Sequence, residues 1–224
     1  MTKHALLVLI ALAACGGDTK KSPAAASAAA PAVAVAPEAL LHPVKAELEG
    51  KAPPKFSLII TTSKGEIVIA VERSLAPIGV DRLFYLANNG YYSTSKFFRV
   101  VYGFVAQFGM SGIPAVDQAF DTLTIADDPP KMSNTKGTVA FAKNGPHSRS
   151  TQLFISLKDN AAVLDKQKFA PVGRVVRGME VAEQFLSTYG DLPNNATMLL
   201  SRGNDFLRTR YPELDSITAV VVKR

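Results

Sequence analysis

Phe97–Gly109 reads FFRVVYGFVAQFG, an apolar run interrupted by one cation, Arg99, with Gln107 following further along. A guanidinium keeps its charge at any physiological pH, and burying that charge is costly unless it is paired. Same-face residues of a strand are spaced by two. A continuous strand would therefore align Arg99, Val101, Gly103, Val105 and Gln107 on one face. Two readings follow from these residues alone. Arg99 is an edge residue with its stem packed and its head in water, or it joins the Gln107 amide beside an apolar patch suited to a neutral, carbonyl-bearing ligand.

The flanking sequence sets the architecture. Phe56–Thr61 and Glu66–Val71 are β-rich runs, and Thr62-Ser-Lys-Gly65 between them reads as a hairpin turn. Ala76–Asn89 reads as a helix: Pro77 suits its first turn, Val80, Leu83, Phe84 and Ala87 form an i, i+3, i+4, i+7 stripe, and Gly90 suits its stop. Further strands are expected around Arg99 and over Thr138–Ala142, Gln152–Leu157, Val172–Val176 and Ile217–Val222. A second helix is expected over Met179–Thr188. Short strands and two helices with no alternating βαβ series argue a mainly β domain, an antiparallel sheet or barrel.

The N-terminus has a different character. Lys3, the apolar stretch Ala5–Ala13 and small residues before Cys15 have the layout of a secretory signal. Leu12-Ala-Ala-Cys15 resembles the lipobox of bacterial lipoproteins, which implies acylation of Cys15 as the first mature residue. Gly16 after it would fit outer-membrane sorting. Residues 16–54 are rich in Ala, Pro, Gly, Ser and Lys, and Pro23, Pro31 and Pro37 interrupt any helix. A coil of this length spans roughly 35 Å. The expected organisation is a signal peptide over 1–14, a lipidated Cys15 with a flexible tether over 15–54, and a folded domain over 55–224. Cys15 is the only cysteine, so an internal disulfide and a cysteine metal site are excluded. The net charge of +6 is dispersed without a basic-aromatic run, which gives no ground for nucleic-acid binding.

The opening segment, extended to KFFRVVYGFVAQFG, resembles the active-site pattern F-H-R-x-x-x-G-F-x-x-Q-G-G of the cyclophilin-type peptidyl-prolyl isomerases. Phe97, Arg99, Gly103, Phe104, Gln107 and Gly109 match; Phe98 and Phe108 depart. Gly137–Ala142 with Gly145-Pro146, Thr151–Phe154, Leu164-Asp165 and Gly173–Met179 follow in the family's order. Asp127-Asp-Pro129, Phe169-Ala-Pro171 and Gly203-Asn…Tyr211-Pro-Glu-Leu-Asp215 are similar to one bacterial branch. The resemblance implies a closed eight-stranded antiparallel barrel capped by two α-helices. It implies an isomerase that helps proteins fold outside the cytoplasm, lipid-anchored in a bacterial cell envelope at the periplasmic face of the outer membrane. Its partners would be proline-containing segments of unfolded or partly folded proteins, with no nucleic acid, and the protein would be a monomer.

The resemblance also implies roles. An X–Pro bond rotates across a barrier of about 18–20 kcal/mol, and an enzyme lowers it by favouring the twisted amide, with no metal or cofactor. Arg99 would stabilise the lone pair that twisting localises on the prolyl nitrogen, with Gln107 and Phe104 completing the catalytic set. Val105, Phe154, Leu164 and Phe169 would wall the proline socket, Gln152 would anchor the substrate backbone, and Ala142 and Lys143 match the strand that contacts it. The family's rim Trp aligns near Val163, its rim His near Lys168 or Phe169, its pocket Met at Val105 and a frequent Asn at Lys143. Val172 also stands where the FAPFG segment would have Phe. The alternative is a non-catalytic module that binds proline peptides at the envelope. Of His4, His42 and His147 only the last falls inside the domain, which leaves little for a hydrolase triad or a histidine metal site.

Overall fold

The structure, a computed structural model, describes residues 38–224. The expected signal peptide, Cys15 and the first part of the expected tether lie outside the described residues. The last part of that tether is folded. It forms α1 (Glu38–Leu41) and α2 (Lys45–Leu48), Leu40 is buried in the main core, and the Ala52 N–H donates to Asp81 Oδ1 at 2.8 Å. Leucines spaced through an Ala/Pro-rich segment anchor it, so the domain starts before residue 55.

Eight strands carry the fold: β1 (Lys55–Thr62), β2 (Gly65–Glu72), β3 (Arg99–Val101), β4 (Val105–Phe108), β5 (Thr138–Phe141), β6 (Leu153–Ser156), β7 (Pro171–Arg177) and β8 (Ile217–Lys223). All neighbours pair antiparallel, in the order β3-β4-β6-β5-β7-β2-β1-β8. The expected closed barrel is corrected in one respect. β3 and β8 are the two edges, and no continuous ladder joins them. A single bridge, Lys96↔Ser216, spans the seam, flanked by the bonds Phe97 N–H to Asp215 O (2.9 Å) and Ile217 N–H to Ser95 O (2.8 Å). A sheet whose edges meet in this way has curled almost onto itself.

Period-two alternation decides what lies on each face. Phe56, Leu58, Ile60, Ile67, Ile69, Val71, Phe108, Val139, Phe141, Leu153 and Ile155 fill the main core. Their neighbours Val105, Ala140 and Phe154 form a separate apolar cluster with Leu164. The helix α3 (Pro77–Asn88) forms where expected, with Pro77 in its first turn and Gly90 at positive φ just beyond it. It packs against β7 and β8.

Three expectations change. The segment around Arg99 is two strands rather than one, because Tyr102–Phe104 turn the chain back on itself. The second helix is only α6 (Met179–Ala182). Beyond it the chain turns so that Phe185 stacks on Phe97 at 3.9 Å and Leu186 N–H reaches Asp215 Oδ2. Besides these come α4 (Pro114–Asp121), α5 (Ala161–Leu164) and α7 (Ala196–Arg210), so the described residues carry more than two capping helices. α7 is broken at Gly203, whose φ of 50° suits glycine. A side chain there would collide with the Gly112 carbonyl. The break lets the Asn204 N–H donate to Gly112 O at 2.9 Å and docks the helix against α4. α7 covers an apolar cluster of Phe98, Met110, Leu199, Phe206, Leu207 and Leu214. Phe98, one of the two departures, is fully buried in that cluster beneath α7.

Candidate active site

The β3–β4 hairpin places Arg99 directly opposite Gln107, and β4–β6 pairing places Gln107 opposite Phe154. The two residues that a single strand would have separated are thus cross-strand partners. Arg99 Nη1 donates to Gln107 Oε1 at 3.4 Å, and Gln107 Nε2 donates to Gln152 Oε1 at 2.8 Å. Gln152 Nε2 in turn approaches the Met110 sulfur at 3.3 Å. The Gly109 backbone makes this line possible. It adopts a φ of 106°, and a Cβ there would lie 2.7 Å from Thr151 O and 2.8 Å from Gln152 Cα.

Beside this polar line lies the apolar cluster. Val105, Ala140, Phe154 and Leu164 form its buried floor, and half-buried Phe104, Ala142 and Phe169 pack on it. Phe169 meets Phe154 edge to face at 5.4 Å, and the Arg99 guanidinium sits 5.8 Å from the Phe104 ring centre. Phe104 is fixed by its carbonyl, which accepts from Leu157 N–H and Asn160 Nδ2, both at 2.8 Å. One donor line beside one apolar dish can hold a flat apolar ring and orient the amide attached to it.

The far wall is clamped from behind. Asp165 Oδ1 accepts from the Asn134 N–H and Nδ2, and Asn134 Nδ2 also donates to Phe169 O. Partial burial pushes the Asp165 carboxyl up, but these bonds outweigh it and hold the group below the usual carboxylate range. Asp127 is similar. Burial raises it, while Lys143, the His147 N–H and the Arg149 charge lower it by more.

The structure brings Arg99, Phe104, Val105, Gln107, Ala142, Gln152, Phe154, Leu164 and Phe169 to one place. Lys143 differs in what its side chain does. Its ammonium binds Asp127 Oδ2 at 3.0 Å and Lys168 O at 3.2 Å, and lies 5.5 Å from the Phe169 ring centre. It braces the rim and leaves the dish to the rings. Val163, aligned with the family's rim Trp, is half exposed. A groove of about 450 Å³ continues from Gln107 and Gln152 past Ala142 and Lys143 to Asn194 and Leu200.

Sequence reading missed several residues that shape the site. Asn134 and Asn160 carry no pattern in the sequence. Asp127 stood in a motif read only as a mark of the branch. Asp191, in the loop before α7, accepts from Arg99 Nε in an ion pair, and nothing local signals that contact.

The family model for cyclophilin type peptidyl-prolyl cis-trans isomerases matches residues 57–199. The chain belongs to this family. A peptidyl-prolyl cis-trans isomerase A of Dickeya dadantii is 31% identical over 131 residues, covering 57% of this chain and 69% of that protein. A peptidyl-prolyl cis-trans isomerase of Streptomyces antibioticus is 32% identical over 132 residues, covering 55% and 79%. Among solved structures, a Cryptosporidium parvum cyclophilin superposes with a TM-score of 0.57 at 16% identity, covering 76% of this chain and 98% of that one. That cyclophilin has also been crystallised in the presence of the dipeptide Ala-Pro. The homologues place the present cyclophilin among the peptidyl-prolyl cis-trans isomerases as an enzyme class. Most of α7 falls beyond the matched residues.

Proposed function

We propose that this cyclophilin isomerises X–Pro bonds in unfolded or partly folded proteins outside the cytoplasm, tethered through a lipid on Cys15 to the periplasmic face of the outer membrane. The observation that carries the catalytic part is the Arg99–Gln107–Gln152 line beside an apolar dish whose upper rings the described residues leave half exposed. The proline ring rests on Phe104, Phe154 and Phe169. Gln152 and Gln107 hold the substrate backbone. The guanidinium presents Nη2 and the second Nη1 proton to the prolyl nitrogen as the amide twists. A fixed donor there stabilises the twisted state more than either planar form, and uncatalysed exchange in tens to hundreds of seconds leaves ample room for acceleration.

The leader layout supports the location. A basic start, a short apolar stretch and Leu-Ala-Ala-Cys15 are what lipoprotein processing requires, and the remaining tether would hold the domain clear of a membrane. Two experiments test the reading. Exchange spectroscopy on a short Ala-Pro peptide should show cis–trans exchange accelerated by the domain and not by Arg99→Ala; peptide binding without exchange would make the protein a binding module instead. Cys15→Ser should abolish incorporation of labelled fatty acid and release the protein from the membrane fraction; unchanged fractionation would end the anchor assignment.

A further inference from the structure

Arg99 needs more than its charge. Among the described residues its one bond to the site, Nη1 to Gln107 Oε1, is 3.4 Å long, near the limit at which such a bond still directs a donor. A guanidinium on a flexible stem held by one long bond would swing across the dish. Asp191 supplies the missing constraint. Its carboxylate takes Nε, whose N–H lies on the side edge of the guanidinium and leaves the outer edge between the two terminal amino groups open, and among the described residues it is the charged partner of Arg99.

Asp191 is not on a loose loop. Its backbone carbonyl accepts from the Asn194 N–H at 3.0 Å, and the Leu192 N–H donates to Tyr189 O at 3.0 Å. Tyr211 Oη reaches Leu192 O at 3.0 Å, and Tyr211 meets Tyr189 edge to face at 5.2 Å. The segment then enters α7, whose Leu199, Phe206 and Leu207 pack on Phe98. Phe98 is the residue next to Arg99. The strand that carries the cation and the helix that follows the anion therefore meet at this buried ring.

Resting on the isomerase reading above, we propose that Asp191 is a positioning residue: with Gln107 it fixes the guanidinium plane, so that the free Nη edge faces the prolyl nitrogen. The carboxylate also draws on the positive potential of Arg99. That effect is small, because the Asp191 side chain is 67% exposed and water screens an exposed pair strongly. Orientation is the larger effect. The uncharged amide of Asn keeps an acceptor oxygen in the same place, so it separates orientation from charge.

The test compares Asp191→Ala and Asp191→Asn with the unmodified domain. Asp191→Ala should lower kcat by about three- to fivefold, the upper range for a partly exposed ion pair, with KM little changed because the dish is untouched. Asp191→Asn should restore most of the rate. Nitrogen-detected spectra should show the Arg99 Nε–H slow to exchange in the unmodified protein and in Asp191→Asn, and fast in Asp191→Ala. Unchanged or increased activity in Asp191→Ala would overturn the assignment, as would an equal loss in both variants. An unprotected Arg99 Nε–H in the unmodified domain would overturn it whatever the activity. A protected Nε–H in a domain without isomerase activity would instead count against the isomerase reading alone.

Discussion

Two apolar clusters flank the line from Arg99 to Gln152, and they end differently. On one side Val105, Ala140, Phe154 and Leu164 form a floor whose upper rings, Phe104 and Phe169, remain half exposed. On the other, Phe98 and Met110 are sealed by Leu199, Phe206 and Leu207 of α7. Both use residues from the same hairpin and its continuation. The difference is whether the described residues supply a cover. Where they do, the cluster stabilises the fold. Where they do not, apolar surface stays available, and the donor line runs along its edge.

Truncating each cluster should separate the two roles most strongly. Phe206→Ala and Phe154→Ala should each cost about 3–5 kcal/mol in chemical denaturation, the usual range for a buried ring. Only Phe154→Ala should also abolish measurable binding of a proline peptide. If Phe206→Ala abolishes binding in the still-folded protein as well, the two clusters are one functional unit and the comparison fails. Removing the charge between them comes next. Arg99→Ala should reduce kcat/KM about 100-fold, in the range for loss of one preorganised electrostatic donor, with the thermal midpoint almost unchanged. A large drop in that midpoint would mean that the cation holds the clusters together.

A smaller effect belongs to the sealed side alone. Gly203→Ala should destabilise by about 1–3 kcal/mol, because a residue with a side chain would be held in a conformation open mainly to glycine, against the Gly112 carbonyl. Denaturation should show the loss, and Leu199 methyl resonances should move more than those of Leu164. The smallest effect belongs to the open side. Asp165 has its pKa lowered in the fold, so its stabilising contribution is complete above the unfolded value of about 3.9. That contribution is lost as the pH falls through the folded value below it. On acidification below about pH 4, Leu164 methyl signals should shift before those of Leu199, and Asp165→Asn should remove that early step. Simultaneous movement of both would show that Asp165 does not clamp the wall separately.

What the sequence made legible follows the same division. The open cluster is built on strands, where alternation names the faces. Gln107, Phe154 and Ala142 are assigned to one surface by the family resemblance, and alternation is compatible with it. The hairpin at Tyr102–Phe104 escaped because Tyr-Gly-Phe lies inside an apolar run and hides the turn. The sealed cluster was harder to read. Gly203 interrupts the helical pattern of α7, so Leu199 and Phe206 do not register as one stripe, although Asn195 marks its start by capping the Met198 N–H at 3.0 Å. Pro114, Val116 and Phe120 carried an equally usable signal for α4. The contact between Arg99 and Asp191 joins residues far apart in the chain, and no local propensity encodes it. The expected closure of the barrel overreached, since pattern names strands but does not tell how their outermost pair meets.

That meeting point has a consequence for how the cation is carried. Arg99 lies on an edge strand of three residues, next to a seam stitched by the single bridge Lys96↔Ser216. Backbone bonds beyond that stitch hold the strand on one side only. Its placement is set instead by two neighbouring rings, Phe97 stacked on Phe185 within the main core and Phe98 beneath α7. The charge thus rides on an aromatic axle. Two separate apolar compartments grip adjacent residues, so the backbone beneath the guanidinium is anchored from both sides of the sheet's edge.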